Sequence, residues 1–164
     1  IEIDIPSVEL KEHERIEQCE QLVKNYKDAP EIVFEDANRA YYMPKSDRIN
    51  MPDLSQFESA EEYYSTLFHE MSHSTGHQKR LNRDGITKDV LFDNLVYSEE
   101  ELIAEMGASF LCAKAGIDIQ PVTENSAAYL QGWLGVLKKD KKFIFKCAAK
   151  AQQAVDYILN VKKI

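Results

Sequence analysis

Cysteine is scarce and unpaired in this 164-residue chain. Cys19, Cys112 and Cys147 lie far apart, and no two form a CxxC. That argues against a disulfide scaffold and against a cysteine-based zinc site, and a reducing, cytoplasmic location is expected. Long apolar runs are missing too. None approaches the ~20 residues of a membrane span, so no membrane partner is expected. Positive charge is in deficit: 20 Lys and Arg face 28 Asp and Glu, for a net charge of −8. Such a chain is not built to hold nucleic acid by bulk electrostatics. There is no internal repeat and no low-complexity tract. What remains is ordinary globular chemistry, 44% apolar and 29% charged, with enough length for one domain over residues 1–164. The chain opens on Ile1 without a signal peptide, so a fragment of a longer protein is expected.

Residues 1–6 alternate apolar and acidic up to Pro6, as a short strand or extended linker would. A helix is expected from Ile16 to about Tyr26, closed by Pro30. Ile32–Phe34, Ala40–Met43 and Arg48–Met51 read as three strands, the last two joined by turn residues Pro44–Asp47. Ser59, with Glu62 three residues on, opens a helix that should end at Gly76. Ser98 and Glu101 repeat the signal for a helix ending near Gly116. Further helices are expected after Pro121 through Leu137, and over roughly 141–160. The expectation is an α+β fold, a small, mostly antiparallel sheet packed on one central helix with more helices after it.

That central helix carries His69-Glu70-Met71-Ser72-His73, an H-E-x-x-H motif. Histidines four apart lie about 40° apart on one face, a turn from each other. Both imidazoles can then reach one metal ion. Glu70, about 100° round from His69, can flank the ion and act as a general base. Zinc lowers the pKa of water in its open position to about 7, which makes a nucleophile near neutral pH. Tyr64, Leu67, Phe68, Met71 and Thr75 form an apolar stripe on another side. The helix can thus bury one face and offer its histidines on another, as would also suit two plain surface histidines.

A catalytic zinc takes a third protein ligand. The pattern HExxHxxGxxH fails here, because Lys79 stands at the third histidine position. The alternative is a glutamate from a later helix, among Glu99, Glu100, Glu101 and Glu105. With Glu101 at zero, Glu105 lies at about +40°, Ala104 at −60°, Ala108 at −20° and Cys112 at +20°. A face of small residues permits the close approach a ligand helix needs. Glu101 is therefore the expected third ligand, with Glu105 the alternative. As second choice for ligand, Glu105 also suits a hydrogen bond to a ligand imidazole.

Glu-x-x-Ala-Glu at 101–105 resembles the second motif of gluzincin peptidases. More closely, Ala40–Gly116 resembles the metallopeptidase domain of ArdC-type antirestriction proteins. The residues that carry this are Tyr41-Tyr42, Asp47-Arg48-Ile49, Met51-Pro52, Ser59–Tyr64, His69-Glu70, His73–His77, Arg80–Arg83, Glu100–Leu102, Ala104-Glu105 and Phe110-Leu111. Ser74 stands where many relatives have an aromatic residue. The resemblance implies a zincin-like fold and a zinc-dependent peptidase acting on a protein or peptide substrate. It also implies origin on a mobile element, and an N-terminal single-stranded-DNA-binding domain that has no counterpart here. Direct DNA binding is accordingly not expected of this chain. The rival reading is a non-catalytic antirestriction module whose acidic surface imitates DNA, with a structural metal.

Other residues carry less. His77 suits either the rim of the site or the end of its helix, and His13 reads as a surface residue. Arg80 and Arg83 suit either a substrate anion or ion pairs with Asp84 or Asp89. Tyr42 and Tyr97 are conceivable oxyanion donors, with packing the plainer role. Lys138–Lys142 reads as a solvated turn, and Trp133 as core.

Overall fold

The computed structural model describes residues 12–88, 95–117, 140 and 142–161. The expected leading strand, the helix after Pro121, Trp133 and most of the Lys138–Lys142 run lie outside them, as does the side chain of Tyr97. Helix α1 spans Glu17–Asn25 and buries Cys19 and Leu22. Three short strands follow, β1 (Glu31–Val33), β2 (Tyr41–Met43) and β3 (Arg48–Asn50). Then come a 3₁₀ turn at Leu54–Gln56 and helices α2 (Ala60–Ser74), α3 (Asp84–Thr87), α4 (Leu95–Ala115) and α5 (Phe143–Ile158). No helix among the described residues is long and apolar enough to cross a membrane.

The sheet has the order β1-β3-β2. β2 and β3 pair antiparallel, with Tyr42 opposite Ile49, and β1 adds to β3 in parallel, with Ile32 opposite Ile49. It is therefore mixed, one pairing of each kind, where sequence order suggested mostly antiparallel. The reason lies in the connection from β1 to β2, which passes across the end of β3. The buried Asn50 side chain pins it: Oδ1 accepts from Glu35 N at 2.9 Å and Asp36 N at 3.0 Å, and Nδ2 donates to Asp36 O at 2.8 Å and Arg39 O at 2.6 Å.

Helix α2 begins as its sequence signal predicts, with Ser59 Oγ accepting from Glu62 N at 3.1 Å. The Glu62 carboxylate reaches back one residue further than a capping box would, to Glu58 N at 2.8 Å. The whole predicted stripe is buried: Tyr64, Leu67, Phe68, Met71 and Thr75. It packs with Ile49 and Met51 of the sheet region, Cys19 of α1, Leu111 and Cys112 of α4 and Ile158 of α5 in one core. A smaller cluster, Leu102, Ile103, Phe143, Cys147 and Ala151, sits between α4 and α5. All three cysteines are free and buried.

Helix α4 starts at Leu95, so Ser98 lies inside its first turn rather than capping it. Its end is as predicted, with Gly116 at φ +72. Ala104, Ala108 and Cys112 are all buried, and the helix comes very close to α2. A Cβ at Gly107 would stand 2.5 Å from Ser72 Oγ and 3.0 Å from Ser72 Cβ.

Two outcomes follow from these contacts. Alanine in a helix interior is normally roughly 0.5–1 kcal/mol better than glycine. Gly107→Ala should instead lower the melting temperature, with an overpacking cost of about 1–3 kcal/mol, and calorimetry reads the sign directly. Asn50→Ala should cost about 2–4 kcal/mol in a urea titration, because several backbone groups lose their partner at once.

Candidate metal centre

The two histidines of α2 stand one turn apart, with ring centroids 4.6 Å apart and planes at 81°. Their Nε2 atoms are 3.0 Å from each other. Glu101, from the second turn of α4, reaches the same point: Oε1 is 3.3 Å from His73 Nε2, and Oε2 is 3.7 Å from His69 Nε2. The structure thus brings His69, His73 and Glu101 together, with one donor atom from each inside 4.8 Å.

This donor set fits a divalent ion. Tetrahedral zinc with ligands at about 2.0–2.1 Å has ligand–ligand edges of roughly 3.3 Å. The two imidazole nitrogens are 3.0 Å apart, and the carboxylate comes to 3.3 Å from His73 through Oε1 and 3.7 Å from His69 through Oε2, all near that value. Two imidazole nitrogens and one carboxylate oxygen leave a fourth position open, as catalytic zinc sites do.

The electrostatics favour positive charge at this point. Burial alone would lower the His73 pKa, but hydrogen bonds with Glu100 and Glu101 and the field of Glu70 outweigh it and raise the pKa to about 10. Burial alone would raise the pKa of Glu101, but its contacts with His69 and His73 hold it well below the usual carboxylate range. Surroundings that draw a proton to His73 draw other cations too. Glu70 is buried on α2.

Behind the histidines the arrangement differs from expectation. Glu105 is half exposed, and its Oε1 is 3.7 Å from His69 Nδ1, too long for a hydrogen bond. Glu100 is buried instead, with Oε1 3.3 Å from His73 Nδ1. Both Glu100 oxygens also accept from Arg83, Oε2 from Nε at 2.8 Å and Oε1 from Nη2 at 2.6 Å. Sequence reasoning had counted Glu100 among the acids of the run without giving it a role. The available signal was its place immediately before Glu101, which turns it about 100° round the helix.

Asp89 lies outside the described residues, and the arginines find other partners than Asp84. Arg83 pairs with Glu100 and Arg80 with Asp47. Arg80 Nε also donates to Ser74 O at 2.7 Å, which closes the end of α2. Tyr42 donates to Asp47 Oδ1 at 2.8 Å, so its hydroxyl is engaged away from the histidines. His77 is buried, and its Nδ1 accepts from Lys79 N at 3.3 Å, so it belongs to the turn after α2. His13 is half-buried rather than a free surface residue, with Nε2 donating to Phe57 O at 2.8 Å.

Comparison with known proteins bears on the family and the fold. A family model described as a zincin-like metallopeptidase matches residues 17–150. DNA primase TraC of Escherichia coli is 40% identical over 122 residues, covering 74% of this chain and 11% of that protein. Protein y4eC of Sinorhizobium fredii is 32% identical over 149 residues, 91% of this chain and 46% of that protein. The Mn(II)-bound crystal structure of the antirestriction protein ArdC from plasmid R388 matches with a TM-score of 0.75 and 38% identity, over 92% of this chain and 55% of that one. The metal-free ArdC structure matches with a TM-score of 0.72 and 37% identity. The chain spans about half or less of the length of each relative. A family match over most of its length, on a fold shared with ArdC, makes this chain a member of the zincin-like metallopeptidase family.

Proposed function

We propose that the chain is the peptidase domain of an antirestriction-type protein from a mobile element, and that it hydrolyses a peptide bond in a specific protein substrate. The observation that carries this is the triangle of His69, His73 and Glu101 donor atoms with Glu70 on the same helix. His69, His73 and Glu101 would hold a divalent ion. Zinc suits two imidazoles and a carboxylate, and a relative was crystallised with Mn(II). When bound, the ion supplies Lewis acidity, polarising a carbonyl and acidifying water.

Glu70 is the general base of this reading. Its carboxylate accepts a proton from water and returns it to the leaving amine. An extended substrate is best held by adding a strand to an open sheet edge. β3 is central and paired on both sides, whereas β2 (Tyr41–Met43) lies at an edge of the sheet and is the strand that would take the substrate. The greater length of the relatives supports further domains in the full protein.

Elemental analysis should find close to one equivalent of metal, mainly zinc. Glu101→Ala should abolish most metal binding in a calorimetric titration, and Glu105→Ala should weaken it by no more than about 10–100-fold. The opposite order would move the ligand one turn along α4. Glu70→Gln should keep the metal and lose cleavage of a peptide library. Cleavage that survives it would remove Glu70 from the chemistry.

DNA is the second test. With a net charge of −8, neither single-stranded nor duplex DNA should bind more tightly than about 10⁻⁴ M at physiological salt. Micromolar, salt-sensitive binding in an anisotropy titration would overturn this.

A further inference from the structure

We propose that the buried Arg83–Glu100 pair is a positioning device: Glu100 orients the His73 ring so that Nε2 faces His69 and Glu101, and Arg83 holds Glu100 in place. This rests on the metal-centre reading given above.

The chemistry of the partners sets the direction of each hydrogen bond. A guanidinium has only donors and keeps its charge. Arg83 donates to both oxygens of Glu100, Nε to Oε2 at 2.8 Å and Nη2 to Oε1 at 2.6 Å. Glu100 is thus a carboxylate and can only accept. His73 Nδ1, 3.3 Å from Glu100 Oε1, must therefore be the donor. Metal binding takes the neutral ring, and with its one proton on Nδ1 the lone pair that remains is at Nε2. That atom lies 3.0 Å from His69 Nε2 and 3.3 Å from Glu101 Oε1.

Arg83 does more than pair a charge. Nη1 donates to Thr75 Oγ1 at 2.6 Å, and Nη2 to Ser72 O at 2.8 Å and, more weakly, to His73 O at 3.5 Å. These carbonyls belong to the last turn of α2, beyond the regular helical ladder, where Ser72 O also accepts from Thr75 Oγ1 at 2.6 Å and His73 O from Gly76 N at 2.8 Å. One planar group therefore grips the backbone of one ligand, His73, and the residue next to another, Glu101. The surrounding chain leaves room for nothing else. A Cβ at Gly85 would fall 2.5 Å from Glu100 Cβ, and one at Gly76 would fall 3.0 Å from Arg83 Nη2. A buried ion pair is a weak source of stability, and apolar residues often replace one at little cost. Stability alone is therefore a poor reason for a pair one residue from a ligand.

The test compares the unmodified chain with Arg83→Met, Glu100→Leu and the double variant. Zinc affinity is measured by chelator competition, and melting of the metal-free protein by calorimetry. Each single variant should lose stability, because it strands a buried charge. The double variant should regain part of that stability, short of what Arg83 contributes through Ser72 O and Thr75 Oγ1, and should bind zinc about 10–100-fold more weakly, as changes behind a ligand do. Zinc affinity within about threefold of the unmodified chain, in a folded double variant, would overturn the proposal. A measurement that needs no variant stands beside it. Long-range ¹H–¹⁵N spectra of the zinc-loaded chain should show His73 protonated at Nδ1 and bound through Nε2, and binding through Nδ1 would overturn the proposal. An unmodified chain that takes up no zinc would instead fail the metal-centre reading itself.

Discussion

The distance between α2 and α4 governs the candidate site. Two ligands come from one helix and the third from the other, so the donor triangle exists only if the backbones lie close. Gly107 makes this possible by leaving to Ser72 the space a side chain would fill. Ala104 and Ala108 continue the thin face, and both are buried. Small residues at a helix crossing sacrifice apolar burial, and here they lie beside the carboxylate that meets the histidines. The large side chains that offset this loss, Tyr63, Tyr64, Phe68 and Met71 of α2, are buried in the main core.

The end of α2 shows a second constraint. Its last carbonyls lie beyond the helical ladder in a buried setting. Donors of the turn itself reach them, and two arginines add to these, Arg80 to Ser74 O and Arg83 to Ser72 O. Each arginine then needs an acid, which ties α2 to the rest of the molecule. Asp47, after β2, answers Arg80, and Glu100, on α4, answers Arg83. Sheet, central helix and ligand helix are thereby joined through two guanidinium groups.

Local signals were the legible ones. H-E-x-x-H depends only on helical period, and the buried stripe of α2 follows from the same arithmetic. The face of Glu101 could be read because Ala104, Ala108 and Cys112 repeat at helical spacing. What depends on distant partners was not readable. Arg80 and Arg83 pair with acids 33 and 17 residues away, not with Asp84 beside them. The run Glu99-Glu100-Glu101 looks uniform, yet each step of about 100° gives a different role. Glu99 meets Lys150 of α5, Glu100 meets Arg83 and His73, and Glu101 meets the two histidines. Strand order escaped for the same reason. Nothing local to Arg48–Asn50 says that β1 will pair on its far side.

The buried cysteines have a consequence for how the molecule can be watched. Burial pushes the Cys112 thiol up to about 12, and those of Cys19 and Cys147 to about 11. A thiol so held is a poor nucleophile and a poor competitor for soft metals. Alkylating reagents will therefore modify these sulfurs only when the surrounding structure opens. Cys19 and Cys112 lie in the main core and Cys147 in the cluster between α4 and α5. Labelling rates at the three positions thus act as separate clocks, one pair timing the exposure of the core around α2 and the third timing the parting of α4 from α5.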